Sequence, residues 1–84
     1  MNTALERAET ARKNQQAALA AFAVHKTEID KLLAEIAAAS ADHFGVAPDE
    51  VHWGHVGDLA SYVHRLRQVA DAIYRRGEHA ESRS

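Results

Sequence analysis

From residue 3 to residue 44 the chain contains neither glycine nor proline, and it is dense in Ala, Leu, Glu, Lys and Gln. These residues lose little on entering a helix, and the two strongest helix breakers are missing. The stretch predicts one long helix over about residues 3–44. Large apolar residues recur along it at helical spacing, namely Leu19, Phe22, Ile29, Leu33 and Ile36, with Leu32 beside them. One face is therefore apolar. Toward the N-terminus the stripe runs on through Leu5 and Ala8 but is interrupted by Arg12 and Gln15, which leaves that end weakly amphipathic and prone to fray. Thr27 and Asp30 stand at roughly capping-box spacing, a pattern that can start a new helix. Strong helix formers on both sides favour continuity over a break at Lys26–Thr27.

The segment from Asp42 to Leu59, DHFGVAPDEVHWGHVGDL, is of a different kind. It carries the only proline, the only tryptophan, three of the four glycines and three of the six histidines. Gly45 suits the left-handed position that ends a helix, with Val46 closing the hydrophobic contact. Pro48, Asp49 and Glu50 read as the first turn of a short helix over about 48–52, because proline fits N1 and carboxylates complement the dipole. Gly54 and Gly57 are expected to re-aim the chain around Trp53, and Asp58 to cap the next helix. That helix, about 58–76, follows the seam Val56, Leu59, Val63, Leu66, Ala70 and Ile73, alternating by three and four. Such a seam packs nearly parallel or antiparallel to another helix. Asp71 lies four residues from both Arg67 and Arg75 and can pair along the exposed face. Gly77 is the expected stop, and residues 79–84 form a polar tail expected to be disordered. The whole reads as a single helical domain over 1–78.

At ~1.5 Å per residue the first helix would reach ~60 Å and the second ~30 Å. A hairpin of the two leaves half of the first helix unpartnered, and two helices bury little. Eighty-four residues without cysteine lie near the low end of what one core stabilises unaided. The expected fold is all-α: an antiparallel helical hairpin with a long first helix, dimerising into a four-helix bundle in which each overhang is covered by the other copy. The alternative is a monomer whose first helix breaks near Lys26–Thr27 and folds back as a three-helix bundle.

Charge narrows the partners. A net charge of −2 with 26% charged residues argues against a dedicated nucleic-acid binder, which shows a strongly basic face. The charged start MNTALERAETARK lacks the apolar stretch of a secretory signal. The longest apolar run, Ala17 to Val24, is far short of the ~20 residues of a membrane span. The expectation is a cytoplasmic protein with no cofactor.

Several constellations could carry chemistry. His52, His55 and Asp58 offer metal-ligand types at three-residue spacing, with His43, Glu50 or His64 as a further ligand. The competing reading, which is favoured, has these histidines capping helix ends and flanking Trp53. Ser61 sits one turn from His64, but nothing in the sequence orients that histidine and no oxyanion-hole signature accompanies it, so no enzyme is expected. WGHVG lacks the strand and the downstream Lys-Ser/Thr of a phosphate loop. His25 lies on the apolar stripe of the first helix, where a buried imidazole would make association pH-dependent. Arg65, Arg67, Arg75 and Arg76 with Tyr62 and Tyr74 give the second helix a basic, partly aromatic character. Trp53, Arg67, Arg75 and Arg76 are the candidate partner-binding residues, since tryptophan and arginine dominate hot spots. Trp53 has a structural alternative, closing the end of the bundle over Phe44, Val46 and Val56.

The stretch HFGVAPDEVHWGHVGDLASYVHRLRQVADAIYRRGEHAE, His43 to Glu81, resembles a group of short uncharacterised bacterial proteins of plasmids, prophages and other mobile elements. The shared features are the Pro-Asp-Glu turn, the Trp-Gly-His-Val-Gly-Asp segment and a terminal helix. The resemblance covers the second half of the chain. It implies a bacterial mobile-element setting and a non-enzymatic module that binds a host protein, for instance as an inhibitor of a defence system. It assigns no functional residue.

Overall fold

The structure is a computed structural model that describes residues 3–77. Its elements are the helix α1 (Thr3–Ala41), a 3-10 turn (His43–Gly45), a second 3-10 turn (Pro48–Glu50) and the helix α2 (Trp53–Tyr74). The fold is all-α, and no strand occurs among the described residues. The chain groups into two units, Met1–Gly45 and Val46–Ser84, and each is described by itself. The expected disordered tail, 79–84, lies outside the described residues.

In the first unit, α1 runs unbroken for 39 residues, as the lack of glycine and proline demands. It passes straight through Lys26–Thr27. The Lys26 ammonium donates to Asp30 Oδ2 at 2.8 Å, a pairing one turn apart that bridges the point where an internal cap was conceivable. The helix ends at Ala41, three residues before the expected boundary. The Asp42 N–H is shared between the carbonyls of Ala39 (3.1 Å) and Ala38 (3.3 Å), a tightening common in last turns. His43 (φ 55°), Phe44 (φ 54°) and Gly45 (φ 76°) then follow in the left-handed region. Helix propensity carries no information about such a turn, because for two of the three residues it opposes an intrinsic preference.

In the second unit, Pro48 opens the short turn at N1, with Asp49 and Glu50 beside it. The turn covers 48–50 rather than 48–52. α2 begins at Trp53, five residues before the expected Asp58, so Gly54 and Gly57 lie inside the helix and do not re-aim the chain. Asp58 is in its second turn and caps nothing. At the other end Arg75 adopts the left-handed conformation (φ 52°, ψ 52°). Its N–H reaches the Ala72 carbonyl (3.4 Å), and the Arg76 N–H reaches Asp71 (2.9 Å). This is the 5→2 and 6→1 pair of a Schellman end. The helix therefore stops at Tyr74, two residues before the expected limit, with an arginine where glycine is usual; Gly77 lies beyond the stop.

No described residue is buried. The stripe on α1 is open along its length, with Leu19 and Phe22 each 67% exposed. The seam on α2 ends in Ile73, also 67% exposed.

Candidate functional site

The chemically distinctive residues of the second unit meet at the start of α2. His52 is extended (φ −135°, ψ 177°) and serves as the N-cap. Its Nδ1 accepts a hydrogen bond from the Gly54 N–H at 3.0 Å. One turn on, Nδ1 of His55 accepts from the His52 N–H at 3.2 Å. The His52 carbonyl already takes the N–H groups of His55 (3.0 Å) and Val56 (3.2 Å). The arrangement is a reciprocal capping box in which two imidazoles do the work usually given to a hydroxyl and a carboxylate. The rings stack with centroids 3.8 Å apart and planes 28° from parallel.

Gly54 owes its identity to this cap. A Cβ at that position would stand 2.8 Å from His52 Cε1 and 3.1 Å from Nδ1, closer than non-bonded atoms tolerate. The His52 ring lies where an alanine methyl would go. A Cβ on Gly57, by contrast, meets nothing within 4 Å.

The same geometry bears on the metal alternative. His52, His55 and Asp58 do not converge: among the described residues no three His, Asp or Glu side chains gather into a group able to hold a metal ion. The physical reason is that the Nδ1 atoms of both imidazoles are committed to backbone N–H groups. Asp58 also stands ~9 Å farther along the helix axis than His52. Glu50 and His64, in the same unit, are exposed and do not complete the set.

The candidate partner-binding residues fall in two places. Trp53 is the first residue of α2 and is 84% exposed. Arg75 and Arg76 lie at the opposite end, ~30 Å away along the axis, with Arg67 between and exposed. Trp53 and the terminal arginines are therefore separate features. The arginine end has its own order. Arg76 Nε donates to Asp71 Oδ1 at 2.8 Å, and its guanidinium carbon stands 5.1 Å from the centroid of the Tyr74 ring, within cation–π range. Asp71 is half-buried, and a Cβ on Gly77 would come within 2.8 Å of its Oδ2. This contact spans five residues, reached because Arg75 turns the chain, and it adds to the i, i+4 pairings of Asp71 that the sequence offers.

Two further expectations have a place in the structure. His25 lies on the α1 stripe and is exposed. No described helix is long and apolar enough to cross a membrane. The histidines do cap a helix end, as the favoured reading of the sequence expects, though at Trp53 rather than at Asp58 and as a reciprocal pair. The signal of that pair was present as His-x-x-His with glycine at the second helical position, in the register of a capping box.

No family model matches the chain, and neither the curated proteins nor the solved structures contain a match.

Proposed function

We propose that the chain is a small non-enzymatic protein-binding module that works as a cytoplasmic homodimer. In this reading α1 and α2 fold against each other as a hairpin, and two hairpins close into a four-helix bundle. The observation that carries it is the pair of uncovered apolar stripes. Leu19, Phe22, Ile29, Leu32, Leu33 and Ile36 on α1 and Val56, Leu59, Val63, Leu66 and Ile73 on α2 are all substantially exposed. Burying a side chain of this size gains ~1.5–3 kcal/mol, and helical stability in proteins rests mainly on such packing. A second copy supplies a matching stripe of the same length, which an arbitrary partner would not.

The resemblance to mobile-element proteins extends the reading to a host protein as the target of the assembled module. Trp53 at one end of α2 and Arg67, Arg75 and Arg76 toward the other are the groups such a target would meet. The nearly neutral balance, net −2, does not favour nucleic acid.

Sedimentation equilibrium of the wild type and of Leu33→Asp tests the assembly. The expected result is a dimer for the wild type and a monomer with reduced helicity for the variant. A wild type that is monomeric and fully helical at 100 micromolar overturns the proposal.

A further inference from the structure

We propose that the start of α2 is a proton-operated cap, closed while His52 and His55 are neutral and released when they take up protons. The inference goes beyond the dimer reading and rests on the second unit alone. Both imidazoles act as acceptors at Nδ1, from Gly54 N–H and from His52 N–H. That role requires the tautomer with hydrogen on Nε2. Protonation puts a hydrogen on Nδ1 as well, so an acceptor becomes a donor facing another donor. Imidazole makes this change within the physiological range, which a serine or glutamate cap does not.

Three effects act in the same direction. The two backbone hydrogen bonds are lost. A cation is placed at the positive end of the helix dipole, where anions are favoured. And two rings 3.8 Å apart become like charges. All three act against the closed cap once the rings carry protons, so the cap as observed is a property of the neutral imidazoles. The opposing groups are the carboxylates of Asp49 and Glu50 in the preceding turn and of Asp58 one turn into the helix. All three are exposed, and solvent weakens their pull on an imidazolium. His64 and Arg65 lie farther along α2 and only add positive charge.

What the cap controls follows from position. Trp53 is N1, between the capping residue and Gly54, so the turn that opens is the one that presents the exposed indole. Gly54 has no side chain to hold the turn once His52 lets go. Acidification thus shortens α2 from its N-terminus and frees Trp53 from a fixed orientation.

The test uses the full chain and the variant His52→Asn/His55→Glu, which rebuilds the box from residues that do not titrate between pH 5.5 and 7.5. Amide exchange protection at Gly54, corrected for the intrinsic pH dependence, is the readout. In the wild type it is expected to fall about fivefold or more between those pH values, the scale of one lost cap. In the variant it should stay constant. Nitrogen-15 shifts of the imidazoles at pH 8 should show Nδ1 without hydrogen on both. An equal pH response in the two proteins, or an Nδ1–H tautomer on His52 at pH 8, overturns the proposal.

Discussion

Among the described residues, three that are not glycine sit in the left-handed region: His43, Phe44 and Arg75. An L-residue pays about 1–2 kcal/mol for that conformation, less where a short polar side chain helps. Arg75 is the plainest case, because the helix end it forms is one that glycine forms without strain. Arg75→Gly is expected to relieve backbone strain worth roughly 0.5–1 kcal/mol after the added freedom of the unfolded chain, set against the loss of the arginine side chain's own interaction. Thermal denaturation followed by circular dichroism would show it as a higher midpoint, with the Asp71–Arg76 pair intact. A lower midpoint would mean that the arginine side chain contributes more than its backbone costs. The same scale explains which residue identities could be read in advance. Pro48 at N1 follows from its ring, whatever surrounds it. Histidine is not among the preferred capping residues, so the expectation that these histidines cap a helix end left open which one caps which turn, and the ring lying over Gly54 decides it.

At the scale of the element, α1 is a single helix because nothing between Thr3 and Ala41 interrupts it. Thr27→Pro is the direct check. A proline inside a continuous helix removes a hydrogen bond and clashes with the preceding turn, at a cost of about 3 kcal/mol or more. Loss of the melting transition or a fall of this order is expected; a change under about 1 kcal/mol would indicate a break at Lys26–Thr27. The Lys26–Asp30 pair is exposed on both sides and contributes only about 0.3–0.5 kcal/mol, so it accompanies the continuity without causing it. α2 teaches the opposite lesson about boundaries. Its seam of Val56, Leu59, Val63, Leu66, Ala70 and Ile73 was legible from spacing, and its first turn was not. Gly54 and Gly57 look like breakers in a propensity scale, yet both are helical once His52 supplies the cap.

For the whole molecule the governing fact is that no described residue is buried although both helices carry apolar stripes. Under the proposed assembly, folding and association are one process, and apparent stability depends on concentration. The melting midpoint is expected to rise across a hundredfold increase in protein concentration. A midpoint that does not move would argue for a chain that covers its stripes alone, as the three-helix alternative requires.

The all-α class, the two long helices and the apolar face of each were determined by sequence alone, because propensity and periodicity are local properties that survive any packing. The structure decided where the helices stop and start: Ala41 ahead of a left-handed turn, Trp53 behind a histidine cap, Tyr74 before a left-handed arginine. These ends depend on hydrogen bonds between particular side chains and backbone groups one to five residues away, and on which residue accepts an unfavourable φ. Spacing alone does not reveal that competition: it suggested that the histidines cap a helix end, and three dimensions showed His52 and His55 capping α2 reciprocally at Trp53.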